Sequence, residues 1–474
     1  MKRFFKRAIV IIITMLTAFP ITQHYASGVK GFTSTILTNE ENDKIALSMD
    51  ALENIFRFAE RNFIYDIDYN KVYEAMAAAM LDAFDDEWTM YIPSSSSDEY
   101  RDHRIGNYSG IGIYLTKLPL SKQNADDPKT LYITITNVFK DAPSYKAGLK
   151  KNDLITHING ESVISKTAGE CAAALKGDKG STVTLSIMRG NETFDVQLER
   201  EDVSVPTVQS VMLQDNIAYI IIYEFTTQTA EQVSKELDLI KDSAKALIID
   251  VRDNGGGDVP ACIEIADFFL PSGSTIVSTE GKTKEMNRVY LSSTKEKKID
   301  ENIPIVLLIN SGTASAAELL AGALKENGRA VVFGEKSYGK GVMQVSAPFE
   351  KGFANITAAE YKTPNGNTVN KVGILPDVEI KENNGTQEEQ LALLKMLKEN
   401  VFSKYADKHP TFSPFNVNRF ADEYSEEYGV SPVLLKKAIT EEYVNRSNTD
   451  SISADLLKYD DVVNYAITYI NKRN

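Results

Sequence analysis

Between Ile217 and Phe333 short apolar runs alternate with segments of helical period: Ile217 to Tyr223, Ala230 to Lys241, Ala246 to Val251, Ala261 to Phe269, Ile305 to Ile309, Ala314 to Lys325 and Ala330 to Phe333. An apolar run without polar alternation is a strand covered on both faces, and a helix between two such runs brings the chain back for a parallel neighbour. The pattern predicts an α/β layer with buried parallel strands as the largest unit of the chain.

The chain has 474 residues, enough for about two to four domains. Its 43% hydrophobic and 25% charged content excludes a largely disordered, collagenous or polytopic membrane protein. A formal charge of -14 repels polyanions, so nucleic acid is not an expected partner. Cys171 and Cys262 are too few for a disulfide framework and read as buried thiols, while His24, His103, His157 and His409 are scattered without paired spacing. No metal site is expected.

Lys2, Arg3, Lys6 and Arg7 precede an apolar run from Ala8 to Ile21, and the small residues Ala26, Ser27 and Gly28 follow. This is the layout of a secretory signal over residues 1–28, with an uncleaved membrane anchor as the alternative. Either way the bulk of the chain is expected outside the cytoplasm, in the periplasm or cell envelope. Residues 43–100 read as mostly helical, 106–200 as a compact β unit, 201–384 as the α/β core, and 385–474 as a charged, Tyr-rich helical extension.

Three strings carry candidate chemistry. In the β unit, Gly110-Ile111-Gly112-Ile113 opens a strand, and its glycines leave backbone N–H groups open to a carboxylate beside an edge that takes an extended peptide. With Ala142 to Leu149, Asp153-Leu154-Ile155 and the Asn159-Gly160 turn, the string resembles a PDZ domain, with Gly169 to Leu175 as its groove helix. The second string joins Arg252-Asp253-Asn254-Gly255-Gly256-Gly257, at a strand end, with Asn310 to Glu318. The glycine loop is either a tight turn or an oxyanion cradle, and Ser315 is either a helix cap or a nucleophile near a helix N-terminus. In the third, Gly339-Lys340-Gly341 sets a lysine between glycines just before a strand, at a spacing that does not fit a P-loop. No histidine lies between His157 and His409, so a nucleophilic Ser315 needs another base, and a desolvated lysine serves.

The order of Asp86-Glu-Trp-Thr-Met-Tyr91, the PDZ string, Arg252 to Gly257, Thr313-Ala-Ser-Ala-Ala-Glu318, Gly339-Lys-Gly-Val-Met-Gln344, Tyr361 to Gly366 and Gly373 to Asp377 resembles the carboxyl-terminal processing proteases, the tail-specific serine peptidases. The resemblance implies a multidomain α/β fold: a crotonase-like α/β protease domain, an inserted PDZ domain, and helical N- and C-terminal regions. It implies Ser315 as nucleophile, Lys340 as base, Gln344 orienting the lysine, and oxyanion donors from the backbone of Ala316 and Gly256. No metal or organic cofactor is implied, and the substrates are polypeptides with accessible C-termini. Two departures stand out: Glu326 replaces an aspartate of some relatives and receives no catalytic duty, and Ala317 replaces a frequent serine. Alternatives are a PDZ-bearing adaptor or pseudoprotease that binds tails without cutting them, and a crotonase-type acyl-CoA enzyme. Apolar and aromatic residues at helical spacing from Phe420 to Tyr469 need a partner surface, either the chain's own protease domain or a second subunit in a homodimer.

Overall fold

The structure is a computed structural model that describes residues 38–95, 107–124, 128–293, 298–349, 351–446 and 454–473. The signal or anchor segment, residues 1–28, and His103 lie outside the described residues. Among the described residues no helix is long and apolar enough to cross a membrane.

The apolar runs form a six-stranded sheet in the order Val208–Met212, Ile217–Ile222, Ala246–Asp250, Ile305–Ile309, Val331–Gly334, Val378–Glu379. Every neighbouring pair is parallel except the first. Alternate residues serve opposite faces. Ala218, Ile220, Leu247, Ile249, Leu307 and Ile309 pack under helices Thr229–Ile240, Val259–Asp267 and Ala316–Glu326, with Cys262 buried and free among them. Ile217, Tyr219, Ile248, Val306 and Leu308 meet Val462, Val463, Ala466 and Ile470 of the last helix, Asp461–Asn471. Burial on both faces explains why these strands carry no polar alternation.

A second sheet of five strands stands beside the first: Met90–Pro93, Gly352–Lys362, Thr275–Gly281 and Arg288–Leu291, with Val342–Phe349 paired to Gly352–Lys362. Met90–Pro93 thus belongs to this second sheet, pairing Met90 with Asn355. Residues 43–100, read as a helical region, therefore also carry a strand, which is a correction. The chain enters the second sheet, leaves for the β unit, and returns.

The β unit between them is a sheet ordered Ile113–Thr116, Ile133–Val138, Leu154–Ile158, Thr182–Arg189, Glu192–Glu199, closed by helix Ala168–Leu175, whose Cys171 and Leu175 pack with Ile133, Ile135, Ile155 and Leu185. Thr167 caps that helix and accepts from the Glu170 amide while the Glu170 carboxylate returns to the Thr167 amide.

The C-terminal extension has its own core, formed by Met396, Phe402, Tyr405, Val417, Phe420, Leu435 and Ile439 on helices Gln387–Lys398, Val401–Lys408, Pro414–Tyr428 and Pro432–Arg446. The last helix then crosses to the six-stranded sheet. Its N-cap, Asp460, pairs with Arg252 at 2.7 Å, and Arg252 also holds Glu382 at 2.7 Å and buried Asp250 at 2.6 Å. Much of the tail's apolar surface is therefore buried within the same chain, while Phe415 and Tyr465 stay exposed.

Candidate active site

Strand Ile305–Ile309 ends at a turn locked to the neighbouring glycine loop. The Asn310 side chain accepts from the amides of Asp253 and Gly312, Thr313 Oγ1 donates to the Val251 carbonyl at 2.8 Å, and the Ala314 amide donates to the Asn254 carbonyl at 2.9 Å. These bonds force the next residue, Ser315, to φ 55° and ψ -121°, a conformation that a non-glycine residue adopts only where its surroundings hold it there. Helix Ala316–Glu326 starts immediately after. Ser315 is 1% exposed, and its Oγ has no hydrogen-bond partner among the described residues. A strained serine between a buried strand and a helix N-terminus is the geometry of a nucleophile.

Lys340 sits in the loop before strand Val342–Phe349. Gly339 has φ 94°, and a Cβ on Gly341 would lie 2.2 Å from the Asn370 amide nitrogen, so both glycines are required for the loop to close. Lys340 is 4% exposed. Burial pushes its pKa down to about 7, against the opposing pull of Glu87, Glu318 and Asp86. Such a lysine is substantially neutral near physiological pH and can take a proton.

Glu318 joins the two. It is fully buried, and its Oε2 accepts both the Ser315 amide and the Lys340 amide at 2.8 Å, while Oε1 accepts the Gly339 amide at 2.7 Å and the Ser337 hydroxyl at 2.5 Å. One carboxylate thus ties the nucleophile turn to the lysine loop. Burial raises its pKa, opposed by its four donors. Sequence reasoning gave Glu318 no role; the available signal was a lone acid in the otherwise apolar run Ala316 to Leu324.

Gln344 is also fully buried. Its Nε2 donates to Thr357 Oγ1 at 3.3 Å, and its Oε1 has no partner among the described residues. The proposed oxyanion donors fare differently. Ala316 opens a helix, where the first amides lack intrahelical acceptors. Gly256 lies against it, since a Cβ there would be 2.9 Å from the Ala316 nitrogen. Yet the Gly256 amide donates to Asn254 Oδ1 at 2.8 Å. In this state it is engaged within its own loop. Glu326 accepts from Thr363, Asn365 and Asn367 and so braces a turn.

In the PDZ unit, Gly110 ends strand Asn107–Gly110, Ile111 is buried, Gly112 takes φ 76°, and Ile113 begins an edge strand. The Ile111 carbonyl accepts from the Ser144 amide and the Gly112 carbonyl from the Phe139 amide, turning this loop's N–H groups the other way. Burial raises the Tyr108 pKa, opposed by hydrogen bonds from the Ile113 and Gly112 amides. The Tyr108 hydroxyl therefore rests against the backbone amides of Gly112 and Ile113.

Residues 216–380 match the peptidase family S41, and residues 109–199 match the PDZ domain. The chain is 31% identical over 357 residues to "Carboxy-terminal processing protease CtpB" of Bacillus subtilis (strain 168), an alignment spanning 74% of this chain and 70% of that protein. The chain belongs to the carboxyl-terminal processing proteases. It is 30% identical over 336 residues to "Probable CtpA-like serine protease" of Staphylococcus aureus (strain N315), spanning 70% of this chain and 65% of that protein. Its likeness to the solved "photosystem II D1 C-terminal processing protease" has 26% identity, covers 69% of this chain and 86% of that one, and has a TM-score of 0.40, at which superposition carries no structural argument. In family terms the α/β core carries the S41 peptidase match, and the PDZ match precedes it in the chain.

Proposed function

We propose that this chain is an extracytoplasmic serine endopeptidase that cleaves polypeptides recognised through their C-terminus, using Ser315 and Lys340 as a catalytic dyad. The observation that carries the reading is a buried lysine with its pKa near 7, tied through one Glu318 oxygen to the backbone of a strained serine. Neutral Lys340 takes the Ser315 hydroxyl proton as Oγ bonds to the scissile carbonyl carbon. The resulting ammonium returns that proton to the leaving amine as the C–N bond breaks. Water then gives a proton to the neutral lysine as its oxygen bonds to the acyl carbon, and the ammonium passes that proton to Ser315 Oγ as the C–Oγ bond breaks. The Ala316 amide, helped by the dipole of helix Ala316–Glu326, stabilises the oxyanion. Ser315 Oγ is unpaired and the Gly256 amide is engaged by Asn254, which supports a resting state that must rearrange before cutting.

The PDZ domain supplies the cue for that rearrangement in this reading. A substrate's terminal carboxylate displaces the Tyr108 hydroxyl from the Gly112 and Ile113 amides, and its chain adds to the open edge of Ile113–Thr116. Amidating the C-terminus of a peptide substrate is expected to lower kcat/KM at least about tenfold, because a neutral amide loses the charge-assisted bonds. Equal rates for the acid and amide would remove the sensing role. An adaptor without catalysis is distinguished by the same assay, since it cuts neither.

The extracytoplasmic location and membrane association through the N-terminus rest on the segment from Lys2 to Gly28. A homodimer is supported less by the C-terminal helices, which are buried within the chain, than by helix Asn39–Asn62, which buries no residue and exposes Ile45, Leu52, Ile55 and Phe58. A second copy covering this face accounts for its apolar residues. Ile55→Asp with Phe58→Asp is expected to lower the mass measured by light scattering from two chains to one. A wild-type protein of one-chain mass at micromolar concentration would refute the dimer.

A further inference from the structure

The turn at Asp86–Thr89 enters the protease domain before the PDZ unit and carries the chain's single tryptophan. Resting on the reading of Lys340 as base, we propose that Trp88 is a positioning residue of the dyad, whose indole face seats the Lys340 ammonium each time the lysine takes the Ser315 proton.

Lys340 Nζ lies 3.8 Å from the Trp88 ring centroid. Trp88 is 8% exposed and packs on Val342 at the start of the strand that follows the lysine. Among the described residues Nζ makes no hydrogen bond or ion pair, and the ring face stands against it. Indole presents the strongest aromatic face to a cation, and the attraction grows when water is excluded.

The turn is fixed to the same strand pair that carries the orienting glutamine. Asp86 Oδ2 accepts the hydroxyls of Thr89 and Thr357 at 2.7 Å each, Thr89 Oγ1 accepts the Thr357 amide at 3.1 Å, and Thr357 Oγ1 accepts Gln344 Nε2. Although burial opposes it, these hydroxyls hold the Asp86 carboxyl below its ordinary pKa. The ring is thereby locked relative to both Lys340 and Gln344. The charged and titratable groups around the lysine are Asp86 and Glu87 of this turn, Glu318 of the nucleophile helix, and Tyr338 of its own loop, whose hydroxyl bonds Glu87.

The lysine carries its charge only between two proton transfers. Its lone pair accepts the Oγ proton while Oγ bonds to the carbonyl carbon, and the N–H bond formed is broken again when the leaving nitrogen takes that proton. A seat on the indole face keeps the ammonium beside the dyad in the interval. It also favours the charged lysine over the neutral one, so removing the ring lowers the pH at which Lys340 loses its proton.

The test has two arms on the full chain. In the first, kcat/KM is measured against pH for the wild type, Trp88→Leu and Trp88→Phe. The acid limb is expected to move down by roughly one pH unit in Trp88→Leu and to return most of the way in Trp88→Phe. A uniform loss at every pH, with the limb unmoved, would reduce Trp88 to packing and overturn the proposal. In the second arm, which needs no substitution at Trp88, the emission of this only tryptophan is titrated in the wild type. It is expected to change with the midpoint of the activity limb and to stop doing so in Lys340→Met. Emission that stays flat while activity rises would overturn the seat and leave the lysine base standing; the absence of any activity limb in the wild type would instead overturn the lysine base.

Discussion

Ser315→Ala and Lys340→Ala each lower kcat/KM on an unstructured polypeptide by at least about 10³-fold, with the fold retained. The first removes the atom that becomes acylated. The second removes the proposed base, and among the described residues no imidazole stands in for it: His157 lies in the PDZ sheet against Thr156, and His409 lies beside the Tyr405 ring in the tail. Both variants lose a buried polar group at a site with strained backbone, so their thermal midpoints are expected to hold or rise. Replacing His157 or His409 is expected to leave turnover within about twofold of wild type. A folded Lys340→Ala protein with wild-type turnover would remove the dyad from the account.

Glu318→Gln carries the second large effect. The carboxylate accepts four donors and gives none, whereas an amide can accept only through its oxygen and turns an N–H toward donors on the other side. Buried donors left without acceptors cost about 1–3 kcal/mol each. Since the same oxygen holds the Ser315 and Lys340 backbones, kcat is expected to fall at least about 10²-fold while KM changes little. Denaturant unfolding and steady-state kinetics on the same preparation separate the two effects. Wild-type kcat in Glu318→Gln would show that the bridge is not needed for the dyad.

The parallel strands were legible because burial on both faces leaves a local signature, as in Ala246–Asp250 and Ile305–Ile309. Ser315 and Lys340 could be singled out as candidates because each sits in a string whose glycines leave few alternative uses. The bonds that Glu318 accepts escaped notice because their donors come from a loop that meets it only after folding. The contact of Trp88 with Lys340 escaped for the same reason, since an entire inserted domain separates the two in sequence. The engagement of the Gly256 amide by Asn254 is a choice of side-chain direction, which residue order does not encode. The tail shows a further limit. Its helical spacing says that Val462, Ala466 and Ile470 must be covered, and only the tertiary pairing of Asp460 with Arg252 decides that the cover is the protease sheet.

The latch at Arg252 also links that tail to the site. Arg252 opens the segment that runs into the glycines, is only 10% exposed at its side chain, and is held by Asp250, Glu382 and Asp460; burial lowers its pKa, but Asp250 and Asp460 more than offset this and raise it. The C-terminal helix therefore helps fix the residues from which Asn254 and Gly256 approach Ser315.

The pH dependence of kcat/KM on a peptide with a free C-terminus tests the central claim most directly. As the proposed base Lys340 would act only when neutral, and burial lowers its pKa to about 7, so the rate should rise about tenfold per pH unit below that value and level off above it, reversibly and with folding verified by circular dichroism. A rate that stays flat from about pH 5 to 9 in the folded protein would contradict a lysine base.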